Sequence, residues 1–244
     1  MRGERGLIGF IDLSTARTLL SDVFDMLPTD IGAVCSRIEL PGGVVTPGAL
    51  AAMVDGDALE TSVRGLVAAG PSVISFACTS GSLIKGVGYD SVLSKRIAEA
   101  SGAIGTTTTT AVMDAFAALG AASVAVGTPY IDSVNDAERQ FLEDSGISVP
   151  RIVGLDLEDD TAIGRVHRDA IVALADRLAD ADTDVIFLSC TNLDAAGVVQ
   201  ALEERCGKPV VTSNQATIWQ ALRLAGVDDI LPGFGQLCRL PLVR

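Results

Sequence analysis

The chain has 244 residues, 48% of them hydrophobic, enough material for a substantial core in one large domain or two ordinary ones. Its 18 Lys+Arg against 31 Asp+Glu give a formal charge of −13, which excludes an extended basic surface for nucleic acid. Five cysteines without a C-x-x-C spacing and a single histidine argue against a zinc site, and the odd cysteine count argues against a disulfide framework.

In chain order, Met1-Arg2-Gly3-Glu4-Arg5 leads directly into a strand-like segment, 7–11, without a secretory pattern, so a cytoplasmic location is expected. A helical pattern over 15–26 follows, then a strand at 33–38 and a long helical pattern over 47–69. The glycine-rich "GGVVTPG" (42–48) lacks G-x-G-x-x-G order and reads as a turn before that helix. The uncharged stretch 65–84 is broken by Gly70-Pro71 and reads as a helix end plus a buried strand at 73–76, so no membrane span is expected. Next come a helix at 91–100, a strand at 103–106, a helix at 111–119 and a strand at 123–126. "TTTTT" (106–110) suits a strand running into a helix N-cap, because threonine serves both positions. Helices at 133–144, 161–179, 194–205 and 216–224 alternate with strands at 151–154, 184–188 and 209–212. Near-continuous apolar strands alternating with helices predict α/β architecture, with parallel sheets covered on both faces.

An internal repeat organises these elements. "PSVISFACTSG" (71–81) aligns with "TDVIFLSCTNL" (183–193), and "RGLIGFIDLST" (5–15) aligns with "AASVAVGTPYID" (121–132). "TTTAVMDAFAALGAASVAV" (108–126) aligns with "SNQATIWQALRLAGVDDIL" (213–231), in the same order. The fold expected is α/β with two pseudo-symmetric halves, each a parallel, flavodoxin-like sheet flanked by helices. The halves are assigned to 1–110 plus 215–244 and to 111–214. Ligand sites in parallel α/β sheets lie at the carboxyl ends of strands. Cys78 and Cys190 both occupy such ends, so a pseudo-two-fold axis sets them facing each other across one cleft. Cys35, Cys206 and Cys238 are read as small buried hydrophobes.

Two opposed thiols can remove a proton from one face of a carbon acid and return it on the other, without a cofactor, if fixed donors hold the enediolate. Each cysteine leads into a helix start, Thr79-Ser80-Gly81-Ser82 and Thr191-Asn192, whose N–H groups can stabilise a thiolate or a substrate carboxylate. Thr79, Ser80 and Thr128-Pro129-Tyr130 are suitable further donors.

These residues resemble the aspartate/glutamate racemase superfamily, within it the maleate cis–trans isomerase and arylmalonate decarboxylase branch, over essentially the whole chain. "CTSGSLIKG" resembles the first active-site loop of that branch, "TPYIDSVN" (128–135) its tyrosine loop, "LSCTNLDA" (188–195) its second cysteine loop and "PGFGQL" (232–237) the decarboxylase C-terminus. The resemblance implies that Cys190 donates a proton or attacks the substrate. It implies that Cys78 is the second cysteine of racemases and isomerases, at a position decarboxylases fill with glycine. It makes Thr79, Ser80 and Tyr130 a pocket for a carboxylate and an enediolate, with Ser14, Thr15, Thr191 and Asn192 as further candidate contacts. Two departures stand out. Ala16 occupies the place of an asparagine in maleate isomerases, and Cys-Thr-Ser and Cys-Thr-Asn replace the Cys-Asn-Thr and Cys-Thr-Glu of amino-acid racemases.

The reading is therefore a cofactor-independent racemase or isomerase of a small carboxylate or dicarboxylate, with no metal. The alternatives are a cofactor-free decarboxylase of substituted malonates and a non-catalytic carboxylate-binding protein. No nucleic-acid or membrane partner is expected, and a homo-oligomer is compatible with the chain. His167, in "GRVHRDA", reads as a solvated helix residue far from both cysteine loops, which leaves no Ser-His-Asp arrangement. Lys85 reads as a solvated lysine rather than a Schiff base.

Overall fold

The computed structural model describes residues 3–243. Eight strands form two four-stranded parallel sheets: β1 (Gly6–Leu13), β2 (Ile31–Ile38), β3 (Val73–Phe76) and β4 (Ile104–Thr107), then β5 (Ser123–Tyr130), β6 (Ser148–Leu157), β7 (Val185–Leu188) and β8 (Val210–Thr212). The strand orders are β2-β1-β3-β4 and β6-β5-β7-β8, the same topology twice. In each sheet the first strand of the half lies inside: Phe10 is in register with Cys35 on one side and Ser75 on the other, and Val126 with Ile152 and Phe187. Every residue of β3 and β7 is buried, because both faces of these inner strands are covered.

The helices are α1 (Leu19–Met26), α2 (Pro47–Asp55), α3 (Ala58–Val67), α4 (Thr79–Leu83), α5 (Tyr89–Ser101), α6 (Thr108–Leu119), α7 (Asp132–Asp144), α8 (Asp160–Ile163), α9 (Arg168–Asp176), α10 (Val199–Cys206) and α11 (Ser213–Leu224). Four expected helices differ; one is the 194–205 pattern, which is α-helical only from Val199, after a 3-10 turn at Ala196–Val198. The 47–69 pattern is two helices, parted at Gly56-Asp57. The 15–26 pattern becomes helical only at Leu19, because residues 14–18 peel off β1 to form a loop at the strand end. The 161–179 pattern breaks between α8 and α9: Gly164 lies against Asn192, and a Cβ there would sit 2.8 Å from Asn192 Oδ1.

The strand-to-helix joints are built alike in the two halves. Thr107 ends β4 and caps α6 by accepting from Thr110 N–H, while Thr212 ends β8 and forms a capping box with Gln215 on α11. Such caps contribute about 1 kcal/mol each. α6 and α11 then pack against each other, with Thr108 Oγ1 2.9 Å from Thr217 Oγ1. Residues of both sheets and both helices share one buried cluster, including Phe10, Val73, Phe187 and Val211. Within it, Phe116 of α6 meets Phe187 of β7 edge-to-face, at 5.5 Å between centroids. No helix among the described residues is long and apolar enough to cross a membrane. Cys238 is buried as expected, but Cys35 and Cys206 are only half-buried, on an edge strand and at the end of an outer helix.

Candidate active site

Parallel pairing delivers the carboxyl ends of β1, β3, β5 and β7 to one region, and with them residues 14–18, Cys78, Tyr130 and Cys190. Cys78 follows β3 and is the N-cap residue of α4. Its Sγ accepts the Gly81 N–H at 3.3 Å, with Ser80 Oγ 4.0 Å away. Only glycine allows this approach: a Cβ on residue 81 would lie 2.9 Å from the sulfur and 2.6 Å from Met53 Cε. Cys190 follows β7 with φ +126°, a left-handed conformation that is costly for a residue with a side chain. Its Sγ accepts the Asn192 N–H at 3.3 Å, and the Tyr130 phenol is directed at it. Both cysteines, Tyr130, Thr79, Ser80, Thr191 and Asn192 are buried.

The Cys-Thr shared by the two loops has a structural use. Thr79 Oγ1 donates to Ser213 Oγ at 2.8 Å, and Ser213 Oγ accepts the N–H of Cys190 at 2.9 Å. In return, Thr191 Oγ1 donates to the carbonyl of Ala77, the residue before Cys78, at 3.2 Å. Each threonine thus ties its own loop to the backbone beside the opposite cysteine. Their hydroxyl protons are spent inside the protein, so these two threonines hold the thiols in place; any substrate contact would use an oxygen lone pair or a backbone N–H.

Asn192 is a junction of three loops: its Oδ1 accepts from Arg17 N–H and its Nδ2 donates to Asp160 O, both at 2.8 Å. Thr15 Oγ1 donates to Asp160 Oδ2 at 2.5 Å. Ser14 is exposed, its N–H donating to Ile38 O, and it stands apart from the buried cluster. Arg37 closes the loop from the other side, donating to Asp12 Oδ2 and to the carbonyls of Leu13 and Ala16.

Sequence reasoning missed Asp12, Asp160 and Ser213, all buried. Asp160 belongs to "LEDDTA", where no periodicity separates a buried acid from its exposed neighbours. Ser213 was within reach, since the repeat pairs it with Thr108 at an equivalent helix start. Two expectations about charged side chains also change. Lys85 is paired with Asp55 and lies 4.9 Å over the Tyr89 ring rather than free in solvent. His167 is exposed and caps α9, but its neighbour Arg168 bonds Asp194 of the second cysteine loop, so this segment is not remote.

Burial opposes the helix-start donors at both sulfurs. Burial pushes the Cys78 thiol up to about 12, against the opposing effect of the Gly81 N–H, and Asp160 adds to the rise. Burial, then the charge of Asp160, push Cys190 up as well, with Tyr130 and the Asn192 N–H opposing. Tyr130 is itself raised by burial and by Cys190. Burial thus favours the neutral thiol over the thiolate at both sulfurs. Helix-start donors reduce the penalty on a thiolate without reversing it. Among the described residues, no group of three His, Cys, Asp or Glu side chains converges as a metal ion requires.

Residues 45–238 match the family described as arylmalonate decarboxylase. The arylmalonate decarboxylase of Bordetella bronchiseptica is 34% identical over 94% of this chain and 95% of its own length. A maleate isomerase of Nocardia farcinica is 27% identical over 80% of this chain and 79% of its own. Among solved structures, a liganded arylmalonate decarboxylase variant carrying a glycine-to-cysteine and a cysteine-to-serine exchange superposes with a TM-score of 0.87. It is 33% identical and covers 95% of this chain and 98% of its own. Fold, paired cysteine loops and sequence agree: the chain belongs to the arylmalonate decarboxylase family, with maleate isomerases among its relatives.

Proposed function

We propose that this protein is a cofactor-independent isomerase or racemase of a small carboxylate or dicarboxylate. One observation carries the reading: two buried cysteines stand at equivalent strand ends of two halves and are cross-tied by their own threonines. A carbon acid held between them would lose its proton to one sulfur and regain one from the other. A cis olefin would instead accept one sulfur at carbon, rotate about the new single bond and expel the sulfur again. Either route needs one sulfur present as its thiolate. The donors that stabilise the resulting anion are already aimed at the sulfurs: Gly81 N–H on Cys78, Asn192 N–H and the Tyr130 phenol on Cys190. The charge that develops on the substrate carboxylate would be met by the backbone donors at the start of α4 and by Ser80.

A second reading, decarboxylation of a substituted malonate, is favoured by the protonated state of Cys190. Loss of CO₂ leaves an enediolate that needs only a proton at carbon, and a thiol kept neutral by burial supplies it. The test is incubation in deuterated water with maleate, aspartate, glutamate, hydantoins and arylmalonates. Cis–trans conversion or deuterium at a stereocentre with retained carbon supports the isomerase, and CO₂ release supports the decarboxylase. Cys78→Ala and Cys190→Ala are each expected to abolish isomerisation in a folded protein. Full activity in either overturns the two-thiol mechanism, whereas decarboxylation would survive Cys78→Gly.

A further inference from the structure

Beside the Asn192 junction a solvent-open hollow of about 490 Å³ is lined by Arg17, Thr18, Gly164, Arg165, His167 and Arg168, among others. Two of its lining residues, and the backbone of a third, contact the second cysteine loop. Arg17 N–H and Gly164 lie against the Asn192 amide, and Thr18 Oγ1 donates to the Thr191 carbonyl at 2.8 Å. The charges around it are of two kinds. Arg168 is neutralised by a bidentate pair with Asp194, 2.8 Å at both contacts. The guanidinium groups of Arg17 and Arg165 are exposed and bond no carboxylate or carbonyl among the described residues. The N-terminal turn of α9, a helix of nine residues, turns its positive end to the same wall, opposed by the exposed Asp169 of that turn.

This concentration is notable in a protein of net charge −13. An anionic substrate is repelled by such a molecule as a whole, and reaches a closed site only where local positive charge outweighs the background. We infer that the hollow walled by Arg17 and Arg165 is an anion-binding antechamber, which captures the carboxylate of the substrate above Asn192 before it passes to the two thiols. The ligand chemistry is that of a carboxylate or phosphate oxyanion, which the guanidinium fork matches. The role in catalysis rests on the proposed function; the binding itself does not.

The experiment titrates succinate and inorganic phosphate, by calorimetry, into the wild type, Arg17→Gln/Arg165→Gln and Cys78→Ala/Cys190→Ala. Both arginines are exposed and unbonded, so their replacement leaves the fold intact. Both anions should bind the wild type, bind about ten- to a hundredfold more weakly to the arginine variant, and bind undiminished to the cysteine variant. In turnover, the arginine variant should lose kcat/KM while keeping kcat, and phosphate should raise KM in the wild type only. Equal binding by the arginine variant, or loss of binding in the cysteine variant, overturns the antechamber. An effect of phosphate on kcat would make the hollow a regulatory anion site and overturn it too. If the cysteine variants stay active while anion binding depends on the arginines, the two-thiol reaction fails and the antechamber stands.

Discussion

The two cysteine loops share a sequence signature and a place in the fold, yet they hold their sulfurs by different means. Cys78 has ordinary extended dihedrals and heads a short helix whose Gly81 N–H points at its sulfur. Cys190 sits at φ +126°, its N–H held by Ser213 at the neighbouring β8–α11 joint and its sulfur approached by the Tyr130 phenol. The residue before the cysteine differs as well: Ala77 in the first loop, Ser189 in the second. Behind Ser189 lies Glu138, fully buried, with neither carboxyl oxygen hydrogen-bonded. Duplicated architecture has thus been kept while the two sulfurs acquired unequal surroundings. Cys78 is set by its own loop, Cys190 by the rest of the protein.

That asymmetry can be broken from either side. The largest effect is expected from Gly81→Ala, which forces a methyl group into the Cys78 sulfur and Met53. It should cost about 1–3 kcal/mol in chemical denaturation and most of the activity. Alanine is ordinarily the better helix former by about 1 kcal/mol, so a stabilised variant would refute the steric account. Ser213→Ala leaves the Cys190 N–H without its acceptor and frees Thr79, at a cost of about 1–3 kcal/mol. Thiol labelling should show Cys190 changed more than Cys78, and equal changes would erase the distinction drawn between the loops. Tyr130→Phe removes a donor from one sulfur only, so labelling of Cys190 should slow about two- to fivefold while Cys78 keeps its rate.

The smallest effect concerns Glu138. Burial raises it from the usual carboxylate range to about 7, and Asp12 and Asp22 are raised likewise to about 7. Such groups hold their protons in the folded state longer than in the unfolded state. Their contribution is complete below the ordinary carboxylate pKa and is lost as pH rises through about 7, so Tm should fall between pH 5 and 8. Glu138→Leu should flatten that slope and stabilise the protein by roughly 1 kcal/mol at pH 8, with little change at pH 5. An unchanged slope would remove Glu138 from the account of the second loop.

Much of this was legible in the chain. All eight strands could be placed, the inner ones because they are apolar on both faces, as "SVISF" and "DVIFL" show, and the edge ones from their β-branched runs between helical patterns. The paired cysteines emerged from the repeat rather than from either loop alone. What escaped was set by distant partners. The break at Gly164 exists because Asn192 occupies the space a side chain would need, and Asn192 lies 28 residues further on. The neutral thiols follow from burial by both halves together, which helix-start chemistry by itself does not register. Nothing local revealed that Thr79 and Thr191 each reach across to the other half.

The pairing of α6 with α11 also bears on how the chain is made. The first sheet is complete in sequence by Thr107, but the cluster that covers Phe10 and Val73 includes Trp219 and Leu222, more than a hundred residues later. An amino-terminal half made first is covered on this face by α1 and α6, and its cover is completed only when residues 213–224 have been synthesised. α11 is the keystone, and truncation before residue 213 should leave an aggregating sheet rather than a smaller working domain.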